Sequence, residues 1–424
     1  MLLVGAAVTQ TAQAAPLEIP TGDSNFTAAI RILGQFDAAY YVQGGSAVLL
    51  PVANGPDLSS GTNIRRAQLG VQGKLFGDWS YFVNTEFGGS GGTESQGRIQ
   101  SLYIQYDGLK PFAVRIGAYP PAAGLEDSTS SSDTLFLERA APSDILRNTV
   151  GGDGRDAASV FYAGDGFFAA LSWTGGKVAD AAVFDEQNAA LGRVSYLAYS
   201  DRDAKLVLSA SGAHVFRPAD TAPGPNVART LTLSSAPELT VDSTGTKLIS
   251  TGAIDANSAT IWGAEAALQW HSLYAQGGYF DYRINQRLLT PPPALPKSDL
   301  DFNGWYLQAS WVLTGETRVY KTDSAAFASP KPDSVWGAWE LGARYSVLDL
   351  NDNSGNAGLV TGGVRGGEQK IWSAGINWYP NSALRFAADY QHIDISRLGN
   401  SAPFLGLSVG QKLDAVSLRA QISL

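Results

Sequence analysis

The run Gly88-Gly89-Ser90-Gly91-Gly92 has the G-x-S-x-G spacing of a serine nucleophile on a strand-to-helix elbow. The flanking residues are strand-like on both sides, so the run reads as a glycine-rich loop. His214, His271 and His392 lie far apart and share no H-x-x-x-H spacing, so they form neither a zinc pair nor a base beside a nucleophile. The stretch Asp349–Gly355 opens like a calcium loop, but Ser354 holds the glycine position and Val360 the place of the bidentate glutamate. Cysteine is absent, which excludes disulfides and thiolate metal sites. What remains is electrostatic. Arg31, Arg66, Lys74, Arg115, Arg193, Arg344, Arg385 and Arg419 fall on the polar phase of alternating segments, as do Asp37, Glu86, Glu265, Glu340 and Asp389. Bases outnumber acids on that phase although the chain carries a net charge of −9. Such a set can lower the barrier to anions in a low-dielectric passage. It can also brace a wall through internal pairs such as Glu340 with Arg344.

Alternation itself defines the elements that must carry these residues. Trp305, Leu307, Ala309, Trp311 and Leu313 alternate with polar or small neighbours, and so do Val416, Leu418, Ala420, Ile422 and Leu424. A period of two means strands with one apolar and one polar face. Charged residues make up only 16% of the chain, against 47 glycines, 10 tryptophans and 17 each of tyrosine and phenylalanine. The charged share is well below the roughly 25% of soluble domains. No apolar run reaches the ~20 residues of a membrane helix. Sixteen strands are expected, with long and short connections in alternation: "GD" after the second, "GDG" after the sixth, "YPNS" at 379–382. This is the pattern of an all-β transmembrane antiparallel β-barrel with long outer loops and mostly short periplasmic turns. Trp79, Tyr81, Trp270, Tyr279, Trp305, Trp311, Trp339, Trp372, Trp378 and Tyr390 lie on or near the apolar phase, as interfacial girdles require. Residues 315–335 break the alternation, being long where a short turn is due.

The N-terminus "MLLVGAAVTQTAQAAP" is apolar and then small. Ala12-Gln13-Ala14 fits a signal-peptidase site, so residues 1–15 are read as a signal peptide lacking a basic leader and 16–424 as one barrel domain. A pI near 4.9 with no basic tail or stripe excludes nucleic acid as a partner. Residues 120–156 form one of the two longest breaks between strands, with 217–257 the other. Counted from a periplasmic N-terminus, residues 120–156 are the third outer loop, and they add Arg139, Arg147 and Arg155 to the basic set. In "SDTLFLERA" a Ser/Asp cap signal precedes an apolar run, which predicts a helical turn there. Leu135, Phe136 and Leu137 are expected to press on the inner wall.

Four blocks resemble one family in order: "RIGAYPPAAGLEDSTSSSDTLFLERAAPSDIL" from Arg115, "FNGWYLQASWVLTGETRVYK" from Phe302, "GAWELGARYSVLDLND" from Gly337 and "INWYPNSALRFAADY" from Ile376. The chain is similar to the phosphate-selective porins (O/P type) of the Gram-negative outer membrane. The resemblance implies a sixteen-stranded, trimeric barrel with an inward-folded third loop and an arginine-lined anion path. Arg31, Arg66, Arg115, Arg139 and Arg155 lie in matching surroundings. The family's phosphate site also uses lysines, and Lys74 is the one inward lysine placed in the first half. The expected function is passive diffusion of small anions, with phosphate as the named candidate, through an outer-membrane porin that needs no cofactor or metal and catalyses nothing. A general or organic-solute porin on the same scaffold is the alternative. A barrel enzyme would need a nucleophile or paired-carboxylate cluster on adjacent strands, and a surface-binding barrel would use large outer loops such as 217–257.

Overall fold

A computed structural model describes residues 17–23, 25–43, 56–89, 97–178, 184–287, 299–354, 363–399 and 405–424. The signal-peptide segment, residues 90–92 of the glycine-rich run and the tip of the 349–355 stretch lie outside the described residues. Sixteen strands make the wall: β1 Ala28–Gln43, β2 Gly61–Leu75, β3 Trp79–Glu86, β4 Arg98–Tyr106, β5 Phe112–Ala118, β6 Arg155–Gly164, β7 Phe167–Lys177 and β8 Asn188–Ser200 in the first half. β9 Ala204–Arg217, β10 Ile254–Trp270, β11 Leu273–Gln286, β12 Leu300–Val312, β13 Ala338–Asp352, β14 Val364–Tyr379, β15 Leu384–Ser396 and β16 Gln411–Ser423 follow. Each pairs antiparallel with the next, and β16 returns to β1 through Asp37 opposite Arg419 and Leu33 opposite Ser423. The sheet therefore closes and leaves no edge, the condition for β-structure in lipid.

Local chemistry sets the turns and the faces. Asp165-Gly166 joins β6 to β7 with positive φ at both residues, 47° and 76°, the two-residue turn that suits strand twist. Along β12 burial alternates residue by residue, with Trp305, Leu307 and Trp311 outward and Tyr306, Gln308 and Ser310 inward. Outward aromatics form two levels. At the periplasmic ends Trp79 meets Tyr106 at 5.0 Å, Phe112 meets Tyr162 at 5.3 Å, and Trp339, Trp378 and Phe386 follow one another at 5.4 and 5.5 Å. Further along the strands, near their middles, Tyr345 of β13 meets Trp305 of β12 edge to face at 5.4 Å and stacks on Trp372 of β14 at 4.2 Å. Both levels lie on the apolar face, where alternation placed them, and the periplasmic one forms a girdle.

The inside is a second layer made of three connections. The segment between β5 and β6 carries α1, Ala141–Val150. The one between β9 and β10 buries Leu233, Leu239, Val241, Leu248 and Ile249. The long 315–335 connection forms a hairpin, Arg318–Lys321 with Ala326–Pro330. Its returning arm is apolar: Ala325, Ala326, Phe327 and Ala328 are buried, with Phe327 against Tyr274 at 5.1 Å. Arg318 anchors it to Glu340 at 2.9 Å and to the Asp133 carbonyl. Its length, which breaks the short-turn rule, is therefore used inside the barrel.

Candidate functional site

The arginines expected on the lumen phase of β8, β13, β15 and β16 are buried, and their donors are committed. Arg193 donates to Ser128 Oγ (2.5 Å) and to the carbonyls of Ser324 (2.9 Å) and Ala325 (2.8 Å). Arg344 donates to the Glu138 carbonyl at 2.9 Å and pairs with Glu238 at 2.5 Å. Arg385 holds the Leu135 carbonyl at 3.0 Å, and Arg419 holds that of Leu137 at 2.7 Å while pairing with Asp37 at 2.6 Å. Irregular backbone buried in a barrel has carbonyls that no ladder satisfies, and four guanidiniums from the wall satisfy them here. Glu340 pairs with Arg318 rather than with Arg344 (2.9 Å). The same-face pairing suggested by sequence gives way because each residue finds a partner on an inward connection.

The wall also makes room for this segment. Leu135, Phe136 and Leu137 are buried, and a Cβ on Gly342 of β13 would sit 3.1 Å from Leu135. A Cβ on Gly304 of β12 would sit 2.9 Å from Pro142. The helical turn predicted over "SDTLFLERA" is not formed; helix begins later, at Ala141. Asp133 is drawn away from a capping role: it accepts Ser329 N–H at 3.1 Å and pairs with Lys321 at 3.4 Å. Pro142 in the first turn and Asp144 behind it are the better start signals. The first-turn amide of Ala141 donates to Glu238, 97 residues away, at 2.7 Å.

Arg139, Arg147 and Arg155 serve the same segment. Arg139 donates to the Thr129 carbonyl at 2.7 Å. Arg147 bridges Asp127 and Asp153, each at 2.5 Å. Arg155 holds the carbonyls of Gly151 (2.9 Å) and Asn148 (3.1 Å) at the end of α1. Burial alone would raise the Glu138 carboxyl, but Arg65, Arg66 and Arg419 outweigh it and hold it well below the usual carboxylate range. Burial pushes Glu126 the other way, up to about 8.

Arg66 and Arg65 come together through a bulge. The β1–β2 register slips between Gln35 and Phe36, which face Arg66 and Ile64. Arg65 is the extra residue and turns inward to Glu138 at 2.5 Å. Arg66 lies 3.8 Å from the same carboxylate and donates to Gln35 at 2.7 Å. Strict alternation sends Arg65 to lipid, so a sequence reading misses it; bulges re-aim side chains in this way. These residues open on a cavity of about 330 Å³. Its basic lining is Arg65, Arg66, Arg98, Arg139, Arg147, Lys177 and Lys247, and its acidic lining is Glu138, Asp144, Asp153 and Glu238. Further along the wall, Arg31 is half-buried with Asp133 as an electrostatic neighbour, and Arg115 is half-buried. Lys74 is exposed near the periplasmic end of β2.

A closed barrel with a periplasmic aromatic girdle, a polar inner face and inward-packed connections defines an outer-membrane porin. The family comparison narrows this: residues 42–422 match the model of phosphate-selective porin O and P, and the chain belongs to that family. Porin O of Pseudomonas aeruginosa is 25% identical over 407 residues, covering 91% of this chain and 87% of that protein. Among solved structures, OmpT of Vibrio cholerae in its trimer form superposes with a TM-score of 0.53 at 11% identity, covering 95% of this chain and 100% of that one. An anion-selective porin from Comamonas acidovorans gives 0.52 at 10% identity, covering 94% and 100%. The chain's place is the Gram-negative outer membrane.

Proposed function

We propose that this porin passes small anions by passive diffusion along the lumen faces of β1–β6, with residues 120–156 as the inward loop that narrows it. One observation carries the reading: the 330 Å³ cavity presents seven basic side chains against four acidic ones, in a chain whose net charge is −9. Field lines from such a cluster are focused by the apolar wall and favour anion entry. Arg66, Arg139 and Arg147 belong to that cavity, and Arg31, Lys74 and Arg115 continue the basic lining towards the periplasm. Arg155, Arg193, Arg344, Arg385 and Arg419 act behind the surface by holding the loop carbonyls. Phosphate is the anion in the family's name and the first to test. Zero-current potentials in a KCl gradient across a planar bilayer should have the sign of an anion-selective channel; the opposite sign overturns the proposal. Added phosphate should then reduce chloride current, and an unchanged current removes phosphate from the reading.

The homotrimer is part of the same proposal. β3, β4, β5 and β6 are 8, 9, 7 and 10 residues long, against 13 to 17 for β8–β16. Their outward faces carry Val83, Leu102, Ile104, Ile116 and Val160, with no tryptophan above the rim residue Trp79. A short wall without the second aromatic level suits contact with a second copy better than contact with lipid. The purified porin should run as a heat-dissociable trimer in detergent, and Leu102→Arg should shift it to monomer.

A further inference from the structure

The lumen wall of β3–β6 carries an apolar patch that a path for a bare inorganic anion does not need. Phe82, Tyr103, Phe161 and Ala163 alternate with outward Val83, Leu102, Ile104 and Val160, so they face the lumen, and all four are half-buried. Phe82 and Tyr103 meet edge to face at 5.9 Å. Phe161 and Ala163 lean with Ala122 and with Tyr320 of the hairpin against Phe168, Ala170 and Ala325. Arg115 stands among these rings: its guanidinium carbon is 4.2 Å from the Tyr103 centroid, 4.9 Å from Phe161 and 5.1 Å from Tyr119. Arg115 Nε donates to Gln105 at 2.7 Å, and Gln105 donates to Asp107 at 2.5 Å. That relay fixes the plane of the guanidinium. Among the described residues the Arg115 guanidinium has no ion pair and no further hydrogen bond, unlike those of Arg193, Arg344, Arg385 and Arg419.

We propose that Arg115 with the rings of Phe82, Tyr103, Phe161 and Tyr320 forms a subsite for organic carboxylates, anions whose charge sits on an apolar or aromatic body. The proposal rests on the anion-pore reading above. A guanidinium stacked on rings is weakly hydrated and offers its outer N–H groups as a planar fork, which matches a carboxylate in two parallel hydrogen bonds. The body of the ligand would cover Phe161 and Tyr103 and displace water from apolar surface. A phosphate dianion gives up a tighter hydration shell and finds one fork and several rings, too few donors to replace that shell. The patch thus separates anions by their bodies, whereas the outer cavity separates ions by charge.

Benzoate and acetate carry the same carboxylate on different bodies, so they isolate the effect. In planar bilayers of the whole porin, benzoate should reduce chloride current at concentrations about tenfold lower than acetate, the range expected of one aromatic contact. Inorganic phosphate should act at higher concentration than benzoate. Phe161→Leu and Tyr103→Leu should each bring the benzoate-to-acetate ratio close to one; two variants keep the test open if one fails to insert. Arg115→Lys keeps the charge but removes the fork for the carboxylate that both ions share, and should weaken benzoate and acetate alike. Equal action of benzoate and acetate on the unmodified porin, or a ratio unmoved in both ring variants, overturns the subsite. A cation-selective zero-current potential in KCl alone would instead overturn the anion-pore reading, so the two failures are distinguishable.

Discussion

Glu138 binds Arg65 at 2.5 Å and approaches Arg66 and Arg419 at 3.8 and 3.4 Å. It is the acid that offsets the basic cavity most directly. Glu138→Gln should therefore move the KCl zero-current potential further in the anion direction, and Arg65→Gln should move it back; a shift of either in the opposite sense contradicts the assignment. Glu126 offers a pH test on the same segment. Its Oε1 accepts Ala140 N–H at 3.2 Å, Arg344 lies 3.9 Å away, and Glu265 and Arg139 complete its charged surroundings. Burial holds its acid form up to about 8, above the ordinary carboxyl value of 4.5. A folded-state pKa above the unfolded one means that the fold binds the extra proton between those two values. The contribution of this group to stability is therefore full below about 4.5 and declines as pH rises towards 8. Amide exchange over residues 120–154 should accelerate between pH 5 and pH 8, after correction for intrinsic rates, and Glu126→Gln should flatten that dependence.

The strands are the part most legible in the sequence, because lipid on one side and polar lumen on the other enforce a period of two over many residues. All sixteen expected strands have counterparts, with ends displaced by a few residues. The inward connections are not written in any local period. Arg385 reaches the Leu135 carbonyl over 250 residues of sequence and Arg344 reaches Glu238 over 106. No spacing rule relates such pairs. Arg65 is hidden for another reason, since one bulge residue inverts the phase on which its assignment depends. The helix is displaced because Asp133, which looks like a cap, is claimed by Ser329 and Lys321 of the hairpin. Arg385→Ala would leave Asn377 Oδ1 without its charged donor and take one of two donors from each of the Leu135 and Ser132 carbonyls, which keep Asn377 Nδ2 and Gln421 Nε2. Removing one partner of a buried charged hydrogen bond costs about 1–3 kcal/mol or more. Single-channel records of Arg385→Ala should show larger and noisier openings than the unmodified porin, while the barrel's resistance to SDS at room temperature persists. A quiet channel of unchanged conductance would mean that the segment is held without that staple.

At the scale of the whole molecule, charge is segregated rather than merely abundant. The chain is acidic overall, yet the outer cavity is basic by seven side chains to four. The segment's own acids account for much of the neutralisation inside: Asp127 and Asp153 take Arg147, and Glu138 takes Arg65. Selectivity thus rests on a net excess of a few charges acting through water, and such fields are screened over about 10 Å at 0.1 M salt and about 3 Å at 1 M. Charged groups that touch the ion directly are less affected. The zero-current potential for a fixed KCl ratio should therefore shrink as the mean concentration rises from about 0.1 to 1 M. The benzoate-to-acetate ratio should change little over the same range, because it compares two ions of equal charge that differ only in the apolar body placed on the rings. If both quantities fall together with salt, selectivity for the body is itself electrostatic and the division of labour between outer cavity and inner rings does not hold. If the potential falls while the ratio stays, two filters in series explain how one lumen can admit anions broadly and still distinguish among them.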